Sequence, residues 1–404
     1  MKADEVYQCN KCGLCLSTCP VYGESLDEKS SPRAKVQLIK HYAEQDLASS
    51  NYLSGIIGSC LMCGTCTANC PSGVTHDQLF MRMRSEMVED YGENWTFKVL
   101  FHLLSHEEQL RLAGKLSSFG ANWLKNHVLG GVKLGTIPLK RFPDLNNTPF
   151  RKAFRERAVP GDARRGTVLY FTGCATNYVD TAVGYAVTEV LSRMGYRVEV
   201  PGNQVCCGLP LFMHGRQDKA RTNIIRNIEC LDREDVEAVL VDCATCGSAL
   251  RREYPHLVRE YGLEPDRALA VSAKTRDISE FLLANWERLE PELDPEPASL
   301  LRTTYHAPCH LRNAQKVSTE VEELLIRLPN VEYVRSPDFE QCCGGGGSFF
   351  YEHPEISKRI VSRKIDNAAA TGATVWASGC PSCRINFLGN LEEAQNMKVL
   401  HPVQ

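Results

Sequence analysis

No stretch of the chain stays apolar for the about 18 residues that crossing a bilayer requires, so no segment is expected to span a membrane. The opening residues Met1-Lys2-Ala3-Asp4-Glu5 run into polar sequence without the apolar core of a secretory leader. Basic residues are not in excess: Lys plus Arg number 46 against 49 Asp plus Glu, a formal charge of −3. That balance argues against bulk nucleic-acid binding, which needs a basic face. No nicotinamide or flavin fingerprint is present. The run Gly344-Gly345-Gly346-Gly347 lacks the strand–GxxxxGK[ST]–helix context of a phosphate loop. Acid–base residues at the spacing of a substrate-oxidising pocket are also missing.

What the chain has in excess is cysteine, 19 residues in 404. A disulfide scaffold is a poor fit, because such scaffolds are small and secreted and this count is odd. Metal ligation in a reducing compartment is the better account. With 43% hydrophobic and 24% charged residues the composition is that of a globular protein. At about 100–200 residues per domain, the length implies roughly two to four domains.

Eighteen of the cysteines fall into two separate repeats. The first pairs Cys9-x2-Cys12-x2-Cys15-x3-Cys19-Pro20 with Cys60-x2-Cys63-x2-Cys66-x3-Cys70-Pro71. This is the bacterial ferredoxin run, in which three closely spaced thiolates wrap one cube and the fourth serves the other. By that rule Cys9, Cys12, Cys15 and Cys70 hold one [4Fe–4S] cluster, and Cys60, Cys63, Cys66 and Cys19 hold the second. Structural zinc uses two C-x2-C pairs or adds histidine, so it fits less well. Between the runs, Ser31-Pro32-Arg33-Ala34-Lys35 followed by Val36, Leu38 and Ile39 predicts a helix start. The whole resembles the helical dicluster module of respiratory iron–sulfur subunits.

The second repeat pairs Cys174, Cys206-Cys207 and Cys243-x2-Cys246 with Cys309, Cys342-Cys343 and Cys380-x2-Cys383, at a spacing of 135 to 137 residues. Near-constant spacing over that length indicates duplication of a whole fold unit. A short apolar strand, Thr167–Thr172, ends just before Cys174, Ala238–Val241 ends just before Cys243, and Thr303–Tyr305 and Thr374–Ala377 precede Cys309 and Cys380. Helical patterns such as Val183–Met194 and Pro354–Ala370 alternate with them. Alternation of this kind predicts α/β halves with parallel sheets, whose ligands collect beyond the carboxyl ends of the strands. A vicinal disulfide at either Cys-Cys pair would strain the backbone and leave three cysteines of each set unexplained. Cys230, outside both patterns, reads as a small buried hydrophobe.

Between the repeats, residues 91–165 carry no cysteine. Phe97, Leu100, Phe101 and Leu104 recur at helical spacing, and Trp95–Leu104 reads as one face of a packed helix. His102 and His106 lie four apart but lack the third ligand of a zinc site. From Gly130 to Arg165 the pattern is that of an extended connector over a surface.

The spacing C-x31-CCG-x34-C-x2-C, with its second copy C-x32-CCG-x35-C-x2-C, resembles the duplicated cysteine-rich "CCG" domain of heterodisulfide reductase subunits and of the iron–sulfur subunits of glycolate and lactate oxidases. Ser31-Pro32-Arg33, Asp277-Ile-Ser-Glu-Phe281 and Tyr305-His-Ala-Pro-Cys309-His310-Leu311 are similar to features of the glycolate type. The resemblance covers nearly the whole chain in the same order: a helical dicluster ferredoxin module (1–90), a helical and extended connector (91–165), then a duplicated α/β CCG domain (166–300 and 301–404). It implies that complete five-cysteine sets bind non-cubane [4Fe–4S] clusters. Both sets are complete: Cys174, Cys206, Cys207, Cys243 and Cys246, and Cys309, Cys342, Cys343, Cys380 and Cys383. Completeness pulls toward the heterodisulfide-reductase branch, the other motifs toward glycolate oxidase. His306 and His310 are expected to pack or hydrogen-bond near the strand end, the alternative being a proton donor or tuner beside a cluster.

The resemblance implies an electron-transfer subunit of a 2-hydroxyacid (glycolate or lactate) dehydrogenase. Its partners would be an FAD-containing dehydrogenase subunit and a quinone, membrane cytochrome or other carrier. The alternative is a catalytic subunit that reduces a disulfide at a CCG cluster. The expected location is cytoplasmic, free or peripheral on the inner face of the cell membrane.

Overall fold

The protein is described from a computed structural model, which covers residues 4–92, 98, 102, 109, 132–135, 137–141, 144, 146, 148–157, 165–263, 265–294, 299–392 and 395–404. The amphipathic run Trp95–Leu104 and the pair His102/His106 lie for the most part outside the described residues.

The N-terminal module is helical: α1 (Leu14–Thr18), α2 (Pro20–Ser25), α3 (Pro32–Ala43), α4 (Asn51–Gly58), α5 (Thr65–Ala68) and α6 (His76–Tyr91). Local chemistry sets the helix starts. The Ser31 hydroxyl accepts from the Ala34 N–H, with Pro32 at the first helical position, and Ser50 does the same for Leu53. Val36 and Ile39 of α3, Leu53 and Ile57 of α4, and Leu79, Phe80, Met83 and Met87 of α6 close over one another. Each such side chain removed from water contributes about 1.5–3 kcal/mol. The two cysteine runs have the same backbone. Lys11 and Met62 have φ of 56° and 53°, and Gly13 and Gly64 have 85° and 68°. These left-handed residues flank the second cysteine of each run and curl three thiols toward a common centre.

Each C-terminal half is a four-stranded parallel sheet. The first runs in the order β4 (Arg197–Glu199), β3 (Thr167–Phe171), β5 (Ala238–Val241), β6 (Thr275–Asp277). The second runs β8 (Val331–Tyr333), β7 (Leu301–Tyr305), β9 (Val375–Ala377), β10 (Lys398–Leu400). The orders are equivalent. In both, the chain leaves its first strand toward one side and returns to the other, so the topological switch lies between β3 and β5, and between β7 and β9. That crevice is where open parallel sheets gather ligands. It receives Cys174 and Cys243 in the first half, and Cys309 and Cys380 in the second. The central strands β3 and β5 are buried from Val168 and Ala238 onward, and β7 from Thr303, as sheets covered on both faces require.

The connector is more structured than an extended crossing. Its described residues include a small hairpin of β1 (Lys133–Leu134) and β2 (Ile137–Pro138) and a helix, Phe150–Arg157. Arg141 donates to the Gly389 and Leu391 carbonyls of the second half. Phe150, fully buried, packs on Tyr170 and Tyr185 of the first. An aromatic anchor among basic residues offers no periodicity, which is why the pattern reads as plain connector.

Candidate metal centres

The cysteines gather into four groups. Cys9, Cys12, Cys15 and Cys70 line one cavity together with Arg33 and His76. Cys19, Cys60, Cys63 and Cys66 line a second, with Lys35 and Asp77. In each cavity the fourth cysteine comes from the other run. Cys12 is exposed and Cys9, Cys15 and Cys70 half-buried, whereas Cys63 and Cys66 are buried. The first cavity therefore faces solvent and the second the interior. Burial pushes the Cys66 thiol well up, and the neighbouring Cys63, Cys60 and Cys19 add to the shift.

The donor chemistry of the second cavity fits an anionic metal–thiolate group. Lys35 is 2% exposed, and its Nζ donates to the Ser30 and Ser59 carbonyls at 3.2 and 2.6 Å. Burial lowers its pKa while Cys60 and Cys19 oppose the fall. Arg84 bonds the Gly58 and Cys60 carbonyls at 2.8 Å each, and burial lowers its pKa, opposed first by Cys60. Asp77, the carboxylate lining this cavity, is occupied by Arg252 and the Thr67 hydroxyl. A buried cation and a half-buried one beside thiols are costly unless those thiols carry negative charge.

In the first α/β half, the Cys207 thiol is held at about 6 by hydrogen bonding with Cys206 and Cys246, with Cys243 and Cys174 close enough to act on it electrostatically. In the second, Cys343 is held well below the ordinary thiol range by Cys342 and Cys383, with His306 also acting on it. All ten cysteines of the CCG sets thus converge as two groups of five: Cys309 hydrogen-bonds Cys342, and Cys380 hydrogen-bonds Cys383. The second member of each Cys-Cys pair is the acidified one, because neighbouring thiols hydrogen-bond to it. Gly208 and Gly344, each at φ 80°, turn the chain after the pairs. A Cβ on Gly173 would come within 2.9 Å of the Cys246 sulfur, so glycine there keeps room for the thiols. Cys174 and Cys309 are half-buried and the other eight buried.

The groups adjoin one another. Cys63 of the second ferredoxin cavity feels the charge of Cys309. Leu61, Cys63, Cys342 and Phe349 share one apolar cluster, with Cys19 and Cys309 packed on it. A cleft open to solvent runs between the modules, lined by Ser17, Thr18, Cys19, Arg312, Cys342 and Lys364. The two α/β halves meet at their C-x2-C tips: the Ala244 N–H donates to the Gly379 carbonyl at 3.0 Å, and the Thr245 hydroxyl lies 4.0 Å from the Cys380 sulfur. A π-helical turn, His310–Gln315, locks the junction. His310 Nε2 lies 3.0 Å from the Met62 carbonyl and Nδ1 3.3 Å from the Thr245 hydroxyl. Asn313 donates to the Cys63 carbonyl and Gln315 to the Ala244 carbonyl.

Of the histidines singled out in the sequence, His310 thus bonds across all three modules. His306 is fully buried, edge-on to Phe387, with a ring nitrogen close to Cys343 and Cys383. Cys230 is buried, its thiol donating to the Asn227 carbonyl at 3.3 Å, away from both sets. Lys35, Arg84, Thr245 and Lys364 stand at the site although no sequence motif marks them. Lys35 alone left a signal, a cation set one residue before the apolar positions of α3.

Residues 5–74 match the 4Fe-4S dicluster domain, and residues 168–251 and 303–388 each match the cysteine-rich domain. The chain is 28% identical to a probable glycolate oxidase iron-sulfur subunit of Bacillus subtilis, over 99% of this chain and 92% of that one. It is 27% identical to the glycolate oxidase iron-sulfur subunit of Escherichia coli, over 92% and 87%. It is 24% identical to the D subunit of the dihydromethanophenazine:CoB–CoM heterodisulfide reductase of Methanosarcina mazei, over 95% and 88%. No described helix is long and apolar enough to cross a membrane. One helical dicluster domain followed by two α/β cysteine-rich domains makes this chain an iron–sulfur electron-transfer protein, homologous along nearly its whole length to glycolate oxidase iron-sulfur subunits and heterodisulfide reductase D subunits.

Proposed function

We infer that this chain is the iron–sulfur subunit of a flavoprotein-linked 2-hydroxyacid dehydrogenase, acting on glycolate or lactate. It relays electrons between a flavin subunit and a quinone or other carrier. The carrying observation is the contiguity of the cysteine groups: the C-x2-C tips touch, and Cys309 packs on the apolar cluster that contains Cys63. The ligands proposed are Cys9, Cys12, Cys15 and Cys70 for one [4Fe–4S] cluster, and Cys19, Cys60, Cys63 and Cys66 for the other. Cys174, Cys206, Cys207, Cys243 and Cys246 hold a third group, and Cys309, Cys342, Cys343, Cys380 and Cys383 a fourth. Bound there, such clusters supply one-electron chemistry. The protein's own part is to hold the thiolates, compensate their charge with Lys35 and Arg84, and exclude water from the inner groups.

Electrons enter at the CCG halves and leave through the solvent-facing ferredoxin group at Cys12. The open cleft beside Cys342 supports that assignment, because a partner's flavin must come close to a cluster to reduce it. Partner contact at the inner face of the membrane is part of this reading. The first test is anaerobic isolation of the native complex and identification of its flavoprotein. Cys207→Ser and Cys343→Ser are expected to abolish reduction by that partner while both ferredoxin groups still accept electrons from dithionite. Normal transfer in these variants, or loss of that step in Cys12→Ser alone, overturns the direction of flow.

A second reading, a subunit that itself reduces a disulfide, is favoured by the completeness and convergence of both five-cysteine sets. Cleavage of a heterodisulfide by the isolated chain with reduced viologen, with no flavoprotein present, distinguishes it.

A further inference from the structure

Among the positions at which the two α/β halves differ, one near the cysteines exchanges an apolar ring for an imidazole. Phe171 ends β3 three residues before Cys174, and His306 follows β7 three residues before Cys309. Phe171 is fully buried in the cluster that contains Cys207, Cys243 and Cys246. His306 is equally buried, its backbone N–H held by the Ala377 carbonyl at 2.9 Å. The duplicated fold thus presents an apolar ring to the first set and an imidazole to the second. Neither ring nitrogen of His306 makes a hydrogen bond of good geometry, and the groups that face the ring are the Cys343 thiol and the Phe339 backbone. One of them, the Cys343 sulfur and the Cys383 sulfur lie within 4.8 Å of one another. The nearby Lys364 is bonded to the Asp338 carbonyl. A neutral imidazole is too polar to be a filler in an apolar core, and an orphaned pair of ring nitrogens calls for a partner. The acceptors at hand are the thiolates and the Phe339 carbonyl, and the latter already accepts from the Ala307 N–H at 3.0 Å.

We propose that His306 is a positioning residue that donates an N–H···S hydrogen bond to the cluster in the second α/β half, chiefly at Cys343, and thereby sets that half at a higher reduction potential than the first. The five cysteines of the set already supply ligands, which makes the imidazole a donor to sulfur. Hydrogen bonds to cluster sulfurs stabilise the reduced, more negative state and so raise the potential. The duplication then yields two groups of similar ligation and different potential, which gives electron flow between the halves a direction. This rests on the reading that the second cysteine set holds a cluster.

The test uses the full chain, isolated anaerobically with its clusters. In His306→Phe, which copies the first half, iron content is expected to stay at the wild-type level while the midpoint potential of one CCG signal falls. In Phe171→His the other CCG signal is expected to rise. Wild-type protein labelled with 15N-histidine is expected to show a weak nitrogen coupling in pulsed paramagnetic resonance, absent from His306→Phe. An unchanged midpoint in an iron-replete His306→Phe overturns the proposal, as does a strong coupling, which would make His306 an iron ligand. If His306→Phe loses iron, the labelled wild type decides: a weak coupling supports the hydrogen bond and no coupling overturns it. Failure of the underlying reading looks different, because Cys343→Ser would then leave iron content and every signal unchanged.

Discussion

Single residues carry the charge balance of this protein. Lys35 is a buried cation whose hydrogen-bond partners are two carbonyls and whose neighbouring charges are thiols. Lys35→Met removes a positive charge beside Cys19 and Cys60, so the midpoint potential of the inner ferredoxin group should fall. An anaerobic redox titration reads this directly, and an unchanged potential would mean that Lys35 is not facing a reducible cluster. Asp277 gives a pH prediction. Burial raises its carboxyl to about 7 from 3.8, and Oδ2 has no partner. The folded state therefore keeps a proton that the unfolded chain has released. The resulting stability is fully present below about pH 4 and is lost as pH rises through about 7. Asp277→Asn keeps a side-chain oxygen to cap the helix Ile278–Ala284. Its denaturation midpoint should decline less between pH 5 and 8 than that of the wild type. Equal declines would show that Asp277 does not titrate in this window.

At the level of elements, close contact between modules depends on backbone that has no side chain. Gly346 has φ 50°, and a Cβ there would sit 2.7 Å from Leu61 Cδ2 and from Phe349 Cβ. Gly346→Ala is expected to cost roughly 1–3 kcal/mol through strain and overpacking. The loss should appear as faster hydrogen exchange around Leu61–Cys63 and Phe349–Glu352, with exchange in the first sheet unchanged. Uniform destabilisation would place the strain elsewhere. Within the run Gly344–Gly347, a Cβ added at Gly345 would lie 3.3 Å from the Cys343 sulfur, whereas one at Gly346 would collide with the seam to the ferredoxin module. The strands before Cys174, Cys243 and Cys380 were legible as short, largely apolar runs ahead of a cysteine motif, and the one before Cys309 (Leu301–Tyr305, with Arg302 and two threonines) by its matching place in the repeat. The helix Phe150–Arg157 was not, because five of its eight residues are charged and one buried aromatic ring holds it.

For the whole molecule, two complete ferredoxin runs predict about 8 irons, and two filled CCG sets raise the total to about 16. Anaerobic iron analysis giving one or two metal ions per chain would sink the assignment of every group. Cys15→Ser and Cys70→Ser should each remove the same paramagnetic signal, since both residues line the outer cavity. Cys19→Ser and Cys66→Ser should together define the other. Loss of different signals within either pair would mean that the runs do not exchange their fourth cysteine.

The sequence by itself determined the two repeats, the convergence of metal-ligating cysteines and the kinship with dicluster and cysteine-rich domains. Ligand spacing is local, and a duplication is visible as a constant offset. What the tertiary structure decided is which groups touch. His310 meets the Met62 carbonyl across 248 residues, and Asn313 meets the Cys63 carbonyl across 250. His306 lies against sulfurs that arrive from Cys343 and Cys383. Such neighbours are set by sheet order and by the packing of one module on another, and no spacing along the chain encodes either.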